Sequence, residues 1–447
     1  MKFFIHSRYG EILNLGVHLQ NLGHEVIMYI PDHDYKIIGD GIIPKADNWV
    51  EYTGKGYTWV FDGCEDGKLQ DWLRTKGEAV FGGTEKTDRL ENNRQLGQKW
   101  FKLAGFKQPY SQNFKDFDSA IAFVQKYRKV KWVLKQNGNA PKSLNHMGKF
   151  DHSEDMLFHL KELKKRWSVQ EFGEIDFDLQ AKVEGFEVAA SGFFNGKEFL
   201  KNKAGKIVGY INMEEKKEMD GDLGETCGEL GTTFIPVSES NKLFKSILLR
   251  SKIVAILKEA NFRGVFDINC IVGSHGITAL EPTCRLGVPA TSYEFIEGMK
   301  NSAEVIDAVA RGKSVPVELN VGIGMVMCVV AKPFPLEGEI DPDSTSIGER
   351  LWILNGAGPA PDFSKEQKKH IHLYNFHKKE DLETKEIAYK VATKSGYMIE
   401  VTGRSNTVKE TRENLIKYID NNVYLPGQKY RKEIGKRVEE MPAGILN

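Results

Sequence analysis

The sequence predicts an α/β protein with three parts: an N-terminal parallel βαβ domain, a two-lobed α+β domain and a small C-terminal α+β domain. Three observations predict it. The first 30 residues run strand, helix, strand, and helices alternate with strands through the middle of the chain. Residues 264–287, GVFDINCIVGSHGITALEPTCRLG, read as two apolar arms around a Gly-Ser-His-Gly turn, with one acid on each arm, Asp267 and Glu281. At 447 residues the chain has length for several domains, at about 150 residues apiece.

In chain order, KFFIH is a compact apolar strand. EILNLGVHLQNLGH spaces its apolar residues at helical intervals, and EVIMYI follows as a second strand. The intervening HSRYGEI is not a G-x-G-x-x-G loop, so a dinucleotide fingerprint is absent. Arg8 either assists an anion at that helix start or is a solvated loop arginine. EAVFG reads as another strand, TDRLENNRQLGQKWFKLAG as one long polar helix, and FKQPYSQNF as a linker. A helix over 118–127, the strand KWVLKQ, a Gly/Asn/Pro loop and a helix over 153–165 come next. SVQEF and FDLQAKV are strand candidates, and EVAASGFFNGKEFL is a hairpin turning at Asn-Gly.

NMEEKKEMDGDLGETCGELGT is polar, Gly-rich and aperiodic, and reads as a long loop able to close over a site, spanning 213–233. A helix over 241–260 leads into the acid-bearing hairpin. GMVMCVVAKPFP, HIHLYNF, GYMIEVTGR and the helix TVKETRENLIKYIDNN make up the C-terminal appendage. The expected boundaries are 1–110, 111–190, 191–325 and 326–447, with the two middle segments forming the two lobes.

Composition narrows the function. Net charge is zero, so no global field draws the chain to nucleic acid or an anionic membrane. No run is long enough to span a bilayer, and the N-terminus does not read as a signal peptide. Five scattered cysteines without C-x-x-C spacing point to reduced thiols and a cytoplasmic setting.

Side chains alternate along a strand, so a five-residue turn would set Asp267 and Glu281 directly opposite on one face. Opposed like charges repel; a divalent cation between them, or surface lysines, would resolve the repulsion. Lys135 ends a strand before QNGNAPKS, a small-residue turn of the kind that approaches phosphates, or is a plain edge lysine. Glu184 and Glu187 lie where one strand ends and the next begins. His370, His372 and His377 have no further ligand nearby in sequence and read as packing residues.

Strand lysine, strand join with a glutamate, Gly-rich loop, then two carboxylates ending in Arg285: this order resembles the ATP-grasp superfamily, and within it the phosphoribosylamine–glycine ligase family. EEKKEMDGDLGETCGELGT is similar to that family's K-R-x-x-D-x-D-x-G-P-N-T-G-G-M-G, and ALEPTCRLGVPA to its L-E-F-N-C-R-F-G-D-P-E. FGGTEKTDRLENNRQLGQKWFKLAGFKQPYSQNF and GYMIEVTGRSNTVKETRENLIKYID with YRKEIGKR resemble its entry helix and C-terminal domain.

The resemblance implies an N-terminal pre-ATP-grasp domain, a two-lobed ATP-grasp domain, and ligation of a carboxylate to an amine through an acyl phosphate. ATP and Mg²⁺, with Mn²⁺ as a substitute, are the implied cofactors. Lys135 would contact phosphates. Gln180, Lys182 and Val183 would line the adenine, and Glu187 would reach the ribose. Asp267, Glu281 and Thr283 would hold the metal, with Arg285 and Lys216 as catalytic cations. Implied partners are small molecules, an amino acid such as glycine and an amine such as phosphoribosylamine, handled by a monomer or homodimer without membrane or nucleic acid.

Most of the departures lie where the family's substrates bind rather than where ATP binds. Thr283 replaces an asparagine, Glu225 and Glu229 replace Pro and Gly, HSRYGEI replaces G-x-G-G-R-E-H, and VPA replaces D-P-E. They leave open a ligase for a different amine, or a nucleotide-binding paralogue without turnover.

Overall fold

The N-terminal strands form a parallel sheet in the order Glu25–Tyr29, Lys2–His6, Thr58–Phe61, Ala79–Phe81. Thr58–Phe61 and Ala79–Phe81 are buried at every position, as a parallel sheet covered on both faces requires. The helices Leu13–Asn21 and Gly67–Thr75 make the crossovers. Gly16 lets the first of them lie close: a Cβ there would stand 2.7 Å from Ile43 and 2.9 Å from Ile5. The computed structural model describes residues 1–447 except 138–143, 169–172, 337–339, 357, 381–384, 443–445, 447 and the side chain of 342.

The chain divides into two compact units. One comprises Met1–Asp88, Val188–Ile268 and Thr283–Asn447; the other comprises Arg89–Glu187 and Asn269–Pro282. In the first, a second sheet runs in the order Arg263–Gly273, Phe186–Asn195, Val208–Glu214, Gly231–Ser238, Ile323–Val330, Tyr397–Ser405, Ile371–Leu373. The segment expected as a separate C-terminal appendage therefore completes this sheet. Its apolar strand Ile323–Val330 pairs antiparallel with Gly231–Ser238 on one side and Tyr397–Ser405 on the other. The helix Val408–Asn422 starts where expected, with the Thr407 hydroxyl accepting from Glu410 N at 3.1 Å.

The second unit has a four-stranded antiparallel sheet ordered Ser111–Phe114, Phe177–Ala181, Trp132–Gln136, His146–Met147. Helices Phe117–Lys126 and Glu154–Trp167 belong to its core, which includes Phe117, Trp132, Leu134, Met156, Leu160 and Phe177. The Gly/Asn/Pro loop and most of SVQEF lie outside the described residues.

Three expectations are corrected. The long polar helix is two, Glu85–Asn92 and Arg94–Leu103, because the Asn93 side chain accepts from Leu96 N at 3.0 Å and starts a new helix. The helix over 241–260 is likewise two, Lys242–Leu248 and Ser251–Glu259, interrupted at Arg250 in an extended conformation.

The Gly-rich stretch is no open loop but a hairpin, Lys217–Met219 with Leu223–Thr226, turning through Gly221 at φ +72. Its polar residues are spent on the C-terminal segment. Arg431, 4% exposed, reaches Asp222 Oδ1 at 2.7 Å and the Lys217 carbonyl at 3.1 Å, and Asp220 Oδ1 accepts from Lys432 N and Glu433 N. Buried Glu215 lies 2.7 Å from Arg437 and 3.5 Å from Arg431. These long-range ties leave no local periodicity. Replacing Arg431 with Met, which strips charge and donors from a buried cluster, should destabilise the fold by about 3 kcal/mol in urea titration and speed proteolysis within 217–226.

Candidate active site

One face of the large sheet is polar, and strand register puts it there. Tyr210, Asn212 and Glu214 alternate onto that face; Asn212 pairs with Phe234 and Ala189, and Glu214 with Thr232. Further along, Cys328 pairs with Glu400 and His372 with Glu400. Asn212 Nδ2 donates to Asp267 Oδ2 at 2.8 Å. Lys216 Nζ lies 2.9 Å from Glu214 Oε2. A π-helical turn, Ser292–Glu297, packs against this sheet and contributes Glu294, whose carboxylate accepts from the Ser191 hydroxyl.

Several carboxyls share this region with Lys216. Burial pushes Asp267 well above the usual carboxylate range, and Glu214 and Glu294 push it further; Asn212 and Lys216 oppose. Glu229 is raised well above that range by burial and then by Glu214, with Lys216 opposing. Burial raises Glu294 to about 7 against its Ser191 bond. Glu400 rises to about 8, again through burial, while the Ser292 hydroxyl and the Asn14 amide at 2.8 Å favour its ionised form.

The N-terminal loop adds more acid. Asp62, buried beside the Ser7 hydroxyl, is raised to about 7 by burial and by Glu11, with Arg285 opposing. Glu11 accepts from the Tyr374 hydroxyl at 3.1 Å. Arg8 is ion-paired with Asp66 at 2.7 Å and Glu65 at 3.2 Å, so its charge is compensated within the loop.

In the second unit, Lys135 stands directly across from Asp178, and Val133 across from Gln180, so all four share a sheet face. Arg94, at the start of its helix, donates to Gln180 Oε1 at 2.6 Å and lies 3.9 Å from Asp178. Burial lowers the Arg94 pKa, against the fields of Asp178 and Glu281. Lys182 and Val183 follow that strand half-buried, and Lys182 N donates to the Lys131 carbonyl at 2.8 Å. Glu187 is half-buried at the start of Phe186–Asn195.

The acid-bearing hairpin differs from expectation in its turn. The arms are Arg263–Gly273 and Gly276–Thr283, leaving two turn residues, Ser274 and His275. A regular two-residue hairpin pairs an even-numbered position with an odd one here, so Asp267 and Glu281 do not stand directly opposite. Asp267 is half-buried whereas Glu281 is exposed. Thr283 and Arg285 are half-buried at and just beyond the end of the second arm.

Arg94, Asn212, Glu214, Glu294 and Glu400 were not singled out by their sequence. An acid inside an apolar run, as in YMIEV, SYEFIE and INMEE, was the available signal. The histidines hold no metal cluster: His372 Nε2 pairs with the Thr402 hydroxyl at 2.7 Å and His370 Nδ1 lies 3.1 Å from Glu297. Among the described residues no group of three or more His, Cys, Asp or Glu is arranged to hold a metal.

A parallel N-terminal sheet, a small antiparallel lobe and a large sheet with a polar face define the ATP-grasp fold, and comparison bears this out. The phosphoribosylamine–glycine ligase of Thermotoga maritima superposes with a TM-score of 0.69 at 19% identity, covering 97% of this chain and 100% of that one. The biotin carboxylase domain of Hydrogenobacter thermophilus 2-oxoglutarate carboxylase, solved with MgADP and bicarbonate, gives 0.62 at 12% identity, covering 96% and 91%. In sequence, the chain resembles the phosphoribosylamine–glycine ligase of Streptococcus pneumoniae, 23% identical over 303 residues. That match spans 63% of this chain and 66% of the relative's length. No family model matches the chain.

The raised carboxyls set a pH dependence. Asp62, Glu294 and Glu400 hold protons in the folded state that the unfolded chain releases near pH 4, so the unfolded state binds fewer protons between about pH 4 and 8. Stability is therefore greatest at the acid end of that window and falls as pH rises through 7 to 8. Urea titrations across it should show this decline, and Glu400→Gln should remove up to about 1.4 kcal/mol per pH unit of the slope.

Proposed function

We propose that the protein is an ADP-forming ligase that phosphorylates a carboxylate with ATP and passes the acyl group to an amine. The observation that carries this reading is the agreement of the sequence match and the fold likeness on phosphoribosylamine–glycine ligases. The chemistry fits the residues. Phosphoryl transfer depends on positioning and charge compensation rather than on a side-chain nucleophile, and the polar residues described above are charged groups and hydrogen-bond donors.

In this reading Lys135 contacts ATP phosphates, Gln180, Lys182 and Val183 line the adenine, and Glu187 reaches the ribose. Glu281 and Thr283 lie two apart on one strand and so share a face, offering a carboxylate and a hydroxyl oxygen. That set suits Mg²⁺, which takes one or two carboxylates and completes its shell with phosphates and water. When bound, the ion would offset phosphate charge. Arg285 and Lys216 stabilise the transferring phosphoryl group or the acyl phosphate. No helix among the described residues is long and apolar enough to cross a membrane, and the five cysteines are free thiols.

The identity of the amine is a finer matter. Phosphoribosylamine carries a phosphate, yet the N-terminal loop pairs Arg8 with Glu65 and Asp66 and adds Glu11 and Asp62. This charge pattern favours an amine without a phosphate over phosphoribosylamine.

The test is ADP formation with ATP, Mg²⁺, glycine and a panel of amines, with product masses read by mass spectrometry. No ADP with any pair would make this a nucleotide-binding protein without turnover. Lys135→Ala should weaken ATP binding at least about tenfold in calorimetry, because water poorly replaces a cation beside phosphates; unchanged affinity would remove Lys135 from the site. Glu281→Gln should abolish ADP formation while Thr283→Asn preserves it, since the second exchanges one neutral oxygen donor for another. Equal loss in both would take position 283 out of the metal's shell.

A further inference from the structure

The polar face of the large sheet carries more acceptors than its own donors satisfy. Asn212, 3% exposed, gives its amide nitrogen to Asp267, but its Oδ1 accepts from nothing among the described residues. Thr232, 1% exposed and directly across from Glu214, has an unpartnered hydroxyl. Asp267 Oδ1 and Glu229 Oε1 are likewise shielded from water and lack hydrogen-bond partners. Buried polar atoms of this kind cost about 1–3 kcal/mol each, and more when charged.

Electrostatics points to the same place. Burial, and then the field of Glu214, holds Asp267 and Glu229 well above the usual carboxylate range, with Lys216 opposing. A water molecule could bond the orphaned atoms but brings no positive charge to favour the ionised form of either carboxyl. A ligand with both positive charge and several N–H donors answers both deficits.

We propose that this face binds a primary ammonium group, with its three N–H groups directed at Asn212 Oδ1, Asp267 Oδ1 and Glu229 Oε1. Three donors on one compact cation serve three of the four unpartnered atoms, and the fourth, the Thr232 hydroxyl, stands across from Glu214. The pairing of Lys216 with Glu214 is the same chemistry made internally. Glu229 is a departure from the glycine of the resembling loop, so this acceptor is a feature of the present chain. Assigning the ammonium to the amine that is acylated rests on the ligase reading; the binding itself does not. Asp267 then serves the amine rather than the metal, in keeping with its separation from the register of Glu281.

The test uses the full-length protein without nucleotide. Its melting temperature is followed against methylammonium chloride and, at matched ionic strength, tetramethylammonium chloride, which has the same charge and no N–H. Methylammonium should raise the midpoint in a saturable way that tetramethylammonium does not. Glu229→Gln and Asp267→Asn keep side-chain shape, and circular dichroism checks that each is folded. In each, the half-saturating concentration should rise at least about tenfold, the loss of one charge-assisted hydrogen bond. Equal responses to the two salts, or a methylammonium response unchanged in both variants, overturns the proposal. A midpoint rise with Mg²⁺ alone that both variants abolish also overturns it and makes the face a metal site. ATP binding and ADP formation on the same preparations decide the ligase reading separately: ADP formed without any methylammonium effect removes this proposal and leaves that one standing.

Discussion

The carboxyl of Glu400 is the point on which the larger unit is assembled. It lies on the strand Tyr397–Ser405, 2% exposed, and accepts from Asn14 of the first helix and from Ser292 of the π-helical turn. Asn14 also donates to the Ser292 hydroxyl at 2.7 Å, closing a three-way contact among segments from the two ends and the later middle of the chain. A carboxyl taken from water is costly unless its partners meet it. The donors are supplied by elements that must be in position together, so this group ties the parallel N-terminal domain to the large sheet.

The same logic governs the polar face beside it. Apolar strands such as Ile323–Val330 bury the sheet, while Asn212, Glu214, Thr232, Glu294 and Asp267 interrupt it with acceptors. Some are met internally: Glu294 by Ser191, Glu214 by Lys216. Others are not, and burial, followed by the field of Glu214, raises the pKa values of Asp267 and Glu229. A face like this costs stability in isolation and gains it from a charged ligand, which is the thermodynamic form of a binding site. By contrast, the hairpin 217–226 places Asp220 and Asp222 against backbone N–H groups and Arg431, where both charges have a structural answer. Acid-rich sequence alone does not separate these two outcomes.

Much of the fold was legible because it follows local periodicity. The βαβ opening, the strands around Lys135 and Gln180, the helices Phe117–Lys126 and Glu154–Trp167 and the Thr407-capped helix all lie where apolar spacing puts them. Breaks set by single side chains were less legible. Asn93 capping a new helix reads, in sequence, as one more polar residue in a polar run. The hairpin at 217–226 was missed because its partners are some two hundred residues away.

The sequence by itself determined the order of elements, the ATP-grasp resemblance and the candidates Lys135, Gln180, Glu187, Glu281 and Arg285, since local pattern and motif order are written along the chain. It did not determine which acids act together. Whether Asp267 stands directly opposite Glu281 turns on a hairpin of two residues rather than five, and its bond to Asn212 on the pairing of separate strands. Glu400 and Glu294 join the polar face only when distant strands register beside one another and a π-helical turn packs against the same sheet. Tertiary structure decided this, because a carboxylate's charge, burial and partners are properties of the space around it, and that space is built from residues far apart in sequence.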